Sequence, residues 1–203
     1  MKRLWLLVVT VLSAACVTSH RPPTQYDLGV FAASQSRVLT ATLIVREVMP
    51  PSWLRTRNIF YRLEYPTPSH PQRYATSQWL ATPGELVTLR LREAVASANA
   101  GFTLWTSNSE GAYVLQTTLE EFIQTFPSPA DSHCIVQMRA SLWRSGDQIL
   151  AQREFRIEVP ASHPTASGGA ECLGSAVNRE TADIIEWLRE KLASTASTDQ
   201  RRP

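Results

Sequence analysis

Two periods alternate in the apolar pattern of this chain, and the points where one gives way to the other mark its elements. Residues 38–48 (VLTATLIVREV) are rich in β-branched side chains and read as a strand, with Leu43 and Val45 on one face and Ile44 and Arg46 on the other. Pro50 and Pro51 lack the N–H that a central ladder needs, so 49–54 is expected as a loop with Trp53 and Leu54 turned against the sheet. Residues 59–65 (IFYRLEY) form the next predicted strand, placing Ile59, Tyr61 and Leu63 opposite Phe60, Arg62 and Glu64. Arg73, Tyr74 and Ala75 can return as its hairpin partner, and residues 77–81 feed a helix.

That helix has a marked start. Thr82 is the predicted N-cap, Pro83 the first helical residue, and Glu85 completes a T-x-x-E capping box. Leu86, Val87, Leu89, Leu91, Ala94, Val95 and Ala98 supply the apolar stripe, interleaved with Arg90, Arg92 and Glu93, and 99–101 ends it. The period of two then resumes. A short strand is expected at 102–106, a turn at 108–111, and a long extended run over 112–126 whose Thr117, Thr118, Glu120 and Glu121 imply a solvated face. The phase slips between Leu119 and Phe122, which predicts a bulge or bend.

Cys134, Val136, Met138, Ala140 and Leu142 alternate against Gln137, Arg139 and Ser141, a clear half-buried strand. Ser145, Gly146 and Asp147 turn it into an antiparallel partner over 148–159, with Ile149, Ala151, Phe155 and Ile157 inward. A small-residue loop at 160–169 leads to a second helix over 170–192, striped by Leu173, Val177, Thr181, Ile184, Leu188 and Leu192. The order β-β-β-α-β-β-β-β-α, rich in adjacent hairpins, predicts an α+β fold: one domain, a largely antiparallel mixed sheet with two long helices packed on one face. Its span is 26–192, preceded by a flexible tether over 16–25 and followed by a disordered tail over 193–203.

The chain begins with a third kind of pattern. Lys2 and Arg3 precede an apolar run from Leu4 to Leu12 and the small residues Ser13, Ala14 and Ala15. This is an export signal over 1–15, too short for a permanent membrane span. Cys16 follows directly, so 12–16 (LSAAC) is similar to the bacterial lipobox although Ser13 stands where Leu is usual. Lipidation of Cys16 with an N-acylated diacylglycerol is expected, palmitate among the acyl chains, and two or more such chains anchor a protein stably. Ser-x-Ala also suits ordinary secretory cleavage, which would leave a free periplasmic protein. Val17 stands where Asp would favour inner-membrane retention, so the periplasmic face of the outer membrane is the expected location.

Composition narrows the functions. Roughly 190 residues remain after the leader, enough for one domain with a proper core. The formal net charge of +2 falls near zero once Lys2 and Arg3 are lost, and no basic run or basic-aromatic stripe occurs, so nucleic acid is not an expected partner. His20, His70, His133 and His163 are scattered without H-x-x-H spacing, giving no metal site. Gly168 and Gly169 precede a helix but make no phosphate-binding glycine motif, and no G-x-S-x-G elbow occurs. Glu120 and Glu121, adjacent on a strand, are expected to face opposite sides and cannot act as a catalytic pair. No catalytic residue is therefore assigned.

Three cysteines look odd for an exported chain until Cys16 is assigned to lipid. Cys134 and Cys172 then remain as a disulfide pair that would pin helix to sheet, with two buried thiols as the alternative. Trp53, Tyr61, Tyr74 and Trp79 cluster in sequence; they are either core or, as aromatic anchors, a partner-binding or lipid-binding surface.

Tyr26-x-Leu28, the Val/Ile-rich strand, Pro51-x-Trp53-Leu54, Ile59-x-Tyr61-Arg62, Arg73-Tyr74, Trp79-x-Ala81-x-Pro83 and the terminal helix with Trp187-Leu188, in this order behind a lipobox, resemble the ABC-type transport auxiliary lipoprotein family. That family includes the membrane-integrity lipoprotein of the paraquat-inducible operon. The resemblance implies a non-catalytic, lipid-anchored periplasmic subunit that works with an MCE-domain protein and its permease and ATPase in moving lipid between membranes. It implies no cofactor beyond the covalent lipid. A docking subunit, with a homo-oligomer possible, and a lipid-binding carrier or chaperone are the two functions to separate; an enzyme is the least supported.

Overall fold

The computed structural model describes residues 22–31, 39, 41–68, 70–98, 112–144 and 148–199. Cys16, where lipidation is expected, the expected strand at 102–106 and the expected turns at 108–111 and 145–147 lie outside the described residues.

Three long strands form one half of the sheet. β5 (Tyr113–Phe126), β6 (His133–Arg144) and β7 (Gln148–Pro160) make a continuous antiparallel meander. β5 slips one residue against β6 between Leu119 and Glu121, at the place where the apolar phase slips. On the other side of β5 lie β2 (Leu43–Val45) and β3 (Asn58–Leu63), both parallel to it, β2 beside its first residues and β3 beside its last. β4 (Gln72–Trp79) returns antiparallel to β3, and β1 (Thr24–Tyr26) runs parallel to β4 at the edge. The sheet order is β1-β4-β3-β5-β6-β7 with β2 on β5. Helices α1 (Pro83–Ala98) and α2 (Ala166–Asp199) make this an α+β domain.

The strand expected over 38–48 is much shorter: Leu43–Val45 is continuous strand, contact with β5 resumes at an isolated bridge between Met49 and Thr118, and Pro50 and Pro51 then divert the chain. A 3-10 turn over Ser52–Leu54 buries Leu54 completely, and β3 then rejoins β5 further along. β4 extends through residues expected to be a lead-in to the helix, since Ser77 and Trp79 pair with β1. The second helix starts four residues before 170 and continues through 193–199, where a disordered tail was expected.

α1 begins as its sequence dictates. The backbone N–H of Thr82 donates to Glu85 Oε2 at 2.8 Å, while Glu85 N–H reaches Thr82 Oγ1 at 3.4 Å. The capping bonds hold the Glu85 carboxyl below the ordinary value. Leu89 is the exception in the expected stripe: at about 100° per residue it falls on the far side from Leu91 and Val95, and it is 56% exposed. Along α2 all six stripe residues are buried, with Trp187 edge-on to Phe155 at 5.9 Å.

On the helix-facing side of the meander Cys134, Val136, Met138, Ala140 and Leu142 are fully buried. Thr117 is buried there too, against the solvated position expected for it, because it lies opposite Ala140 in the register. In β7 the inward set is partly displaced. The ladder skips Leu150, so Ile149 pairs with Trp143 on the opposite face and is exposed, while Phe155 and Val159 are buried and Ala151 and Ile157 half-buried.

The other face carries charge. The bulge turns both Glu120 and Glu121 to it, correcting the expectation that they point apart. They still form no carboxylate pair: Glu121 meets Arg62 at 2.9 Å, and Glu120 meets Arg139, which also reaches Glu154, each at 2.9 Å. Such half-exposed pairs add little stability individually, about 0–1 kcal/mol, but they neutralise a ladder across β3, β5, β6 and β7.

Candidate functional site

The four aromatics named from the sequence do not form one surface. Trp79 has no exposed area and packs against Phe122 with ring centres 5.4 Å apart, so it is a core residue and not a docking anchor. Its replacement by alanine therefore tests stability, not partner binding. Trp53 is half-buried and edge-on to Phe60 at 5.3 Å. Phe60 and Tyr61 are consecutive on β3 and face opposite sides of the sheet. Tyr61 instead joins Tyr74, with centres 4.8 Å apart, and Phe126 at 5.8 Å.

Both tyrosine hydroxyls are engaged. Tyr61 donates to Gln72 Oε1 at 3.0 Å, and Tyr74 donates to the fully buried Gln124 Oε1 at 2.9 Å. Gln124 in turn donates to Ser132 Oγ at 2.8 Å. Burial, with the neighbouring Tyr61 adding to it, raises the Tyr74 hydroxyl far above its usual value, so Tyr74 packs there as a neutral ring.

A second, more elaborate assembly holds the segment that follows β1. After β1 the chain makes an Asx turn, with Gly29 N–H donating to Asp27 Oδ1 at 2.8 Å, and Gly29 adopts φ +69°, which glycine tolerates without strain. Arg90 of α1, only 5% exposed, donates through Nη2 to the carbonyls of Gly29 at 2.7 Å and Leu28 at 3.5 Å. Its Nη1 donates to Asn178 Oδ1 of α2, its Nε lies 3.4 Å from Glu93, and the guanidinium sits 5.3 Å from the Phe31 ring centre. One buried cation thus ties residues 28–31 to both helices.

The arm also passes close over α2. A Cβ at Gly174 would stand 2.5 Å from the Leu28 carbonyl oxygen. Gly174→Ala is expected to cost about 1–3 kcal/mol as a local overpacking and to expose residues 22–31 to protease, while Arg90→Met should do the same by stranding two carbonyls. Equal cleavage rates in the wild type and both variants would remove Arg90 and Gly174 as the fastening.

Neither Arg90 nor Glu180 was assigned from the sequence, although each left the same signal: a charge at helical spacing within an apolar stripe. Arg90 falls three residues after Val87 and four before Ala94; Glu180 falls three after Val177 and four before Ile184. Glu180 has no exposed area and accepts the Met138 N–H at 2.7 Å, beside the bulge of β5. Burial raises its carboxyl to about 9, opposed by the Met138 bond and reinforced by Asp183. Its Oε2, Thr117 Oγ1 and Thr181 Oγ1 have no hydrogen-bond partner among the described residues.

Cys134 and Cys172 are joined Sγ to Sγ, with Cα atoms 5.8 Å apart, linking the start of β6 to the second turn of α2. Open clefts cut the surface of the described residues. One of about 580 Å³ lies between the arm and α2; another of about 560 Å³ lies between residues 47–50 and the start of α1, beside the exposed Met49 and Leu89. Among the described residues, no group of three or more His, Cys, Asp and Glu could hold a metal ion, and no helix is long and apolar enough to cross a membrane.

These features define an α+β domain with a fastened N-terminal arm. The model of the ABC-type transport auxiliary lipoprotein component matches residues 26–185, and the chain belongs to that family. The same fold occurs in protein XCC0632 from Xanthomonas campestris, described as DUF330, at a TM-score of 0.74 and 18% identity over 86% of this chain and 99% of that one. It occurs also in hypothetical protein CT253 from Chlamydia trachomatis, at a TM-score of 0.54 and 6% identity over 77% of this chain and 99% of that one. A search of curated proteins returns no match. The family describes an auxiliary transport lipoprotein, which accords with a non-enzymatic subunit.

Proposed function

We propose that the chain is a docking subunit, anchored through lipid on Cys16 to the periplasmic face of the outer membrane, that holds an MCE-type lipid transport complex there. The observation that carries docking over carriage is the filling of the layer between sheet and helices. Leu43, Leu115, Leu119, Met138 and Leu142 meet Val87, Leu91, Leu173, Val177 and Ile184 there, all with essentially no exposed area. A carrier must enclose an acyl chain in an apolar cavity; the two clefts described above are open and have charged residues in their linings.

In this reading the subunit performs no reaction and needs no cofactor besides its acyl chains, and ATP hydrolysis belongs to a separate ATPase. The fastened arm suits the role, because a pull on the tether loads the pairing of β1 with β4 first and, behind it, Arg90 and both helices.

Crosslinking the tagged full-length chain in intact membranes, followed by mass spectrometry, tests this. An MCE-domain protein with its permease or ATPase should be recovered, and Cys16→Ala should move the chain to the soluble fraction. Recovery of the chain with stoichiometric phospholipid and no transport component would establish the carrier instead.

A further inference from the structure

The cleft beside the arm is more than a surface depression, because one of its sides is an unused strand edge. In extended backbone the N–H and C=O of a residue point the same way, and successive residues alternate. Tyr26 carbonyl accepts the Leu80 N–H at 2.7 Å, so Tyr26 and Thr24 address β4. Gln25 between them turns its N–H and C=O to the outer side, where β1 has no partner strand among the described residues. Facing that edge, α2 presents Ser167, Glu171, Ser175 and Asn178, a single stripe at helical spacing.

The groove between edge and helix has one sign of charge. Asp27 and Glu171 contribute carboxylates, and no lysine or arginine lines it. Arg57, which donates to the Leu80 carbonyl at 3.5 Å, stands outside the lining, and Arg90 is spent on the arm carbonyls. Exposed apolar side chains, Leu80 at 55% and Val30 at 92%, lie along the same groove. An exposed edge of this kind is a template for another strand.

We infer that this groove binds an extended segment of a partner protein, alternating apolar with lysine or arginine residues, as an added strand on β1. The main-chain bonds come from Gln25, the apolar residues cover Leu80 and Val30, and the basic residues meet Asp27 and Glu171. The inference rests on the docking role proposed above and names the chemistry of what docks. The chain's own tether is a poor occupant: Pro22 and Pro23 lie immediately before β1 and disfavour a tight reversal onto its edge.

The test needs no transport component, so its failure is separable from failure of the docking role. Full-length chain in detergent is titrated with a decapeptide alternating valine and lysine and with its valine–glutamate counterpart. The lysine peptide should bind and the glutamate peptide should not. Gln25→Pro removes the outward N–H while leaving the β4-facing bonds intact, and should weaken binding about fivefold to tenfold. Glu171→Lys, at an exposed helix position, leaves Asp27 facing a lysine, brings the groove to no net charge and should abolish the preference between the two peptides; it keeps the test sharp should the proline disturb the arm. Absence of lysine-peptide binding, or binding unchanged in a folded Glu171→Lys variant, overturns the proposal.

Discussion

Glu180→Gln is expected to stabilise the protein at alkaline pH and to leave it nearly unchanged at pH 5. The buried carboxyl has a folded value of about 9 against an ordinary 4.5, so the folded chain retains a proton that the unfolded chain releases. Where the native state binds more protons, stability falls as pH rises. The loss begins near the unfolded value, grows through neutrality and is complete above the folded value. At pH 7 it amounts to something on the order of 3 kcal/mol. Glutamine keeps the oxygen that accepts the Met138 N–H but cannot ionise, and so escapes the loss. Glu180→Ala should instead destabilise even at pH 5, because the Met138 N–H is left without its acceptor. Urea midpoints between pH 5 and 9 check this; parallel curves for the wild type and Glu180→Gln would show that the carboxyl is ionised in the native state.

Removing the covalent link between helix and sheet should have the largest effect. Cys134 and Cys172 close a loop of 38 residues, for which the chain-entropy model gives roughly 4 kcal/mol. Cys134→Ala with Cys172→Ala, or reduction of the wild type, should lower the urea midpoint by a corresponding amount. Both residues are buried, so the double variant loses some packing as well. Reduction of the wild type isolates the bridge, and an unchanged midpoint under reductant would mean that the two thiols are free.

Features set by neighbours in sequence were legible in advance. The Thr82 and Glu85 box closes as written, the α2 stripe is buried throughout, and the alternation of β6 is realised at every named apolar position. The bulge of β5 also announced itself, because one extra residue shifts the phase of everything after it. These signals survive because helical and strand periods are local properties of backbone geometry.

What the sequence left open depended on which surfaces met. Trp79 has the chemistry of an interface anchor, and only its position against Phe122 makes it core. Glu120 and Glu121 read as opposite-facing until the bulge they occupy turns both to one side. Arg90 and Glu180 sat in apolar stripes as anomalies with no visible partner. The tertiary structure supplies those partners from far along the chain: the Gly29 carbonyl in the arm for Arg90, the Met138 N–H in β6 for Glu180. That β1 has a single partner strand among the described residues was equally invisible, since whether a strand has one neighbour or two is settled by sheet order.

The sequence by itself determined the elements, their buried faces, the α+β class and the family resemblance, all of which rest on patterns a few residues long. Only the tertiary structure decided that β2 and β3 share one side of β5, that one arginine fastens the arm, and that an acidic groove runs beside β1. Burial and pairing join groups distant in the chain, and no local period encodes which distant group will be met.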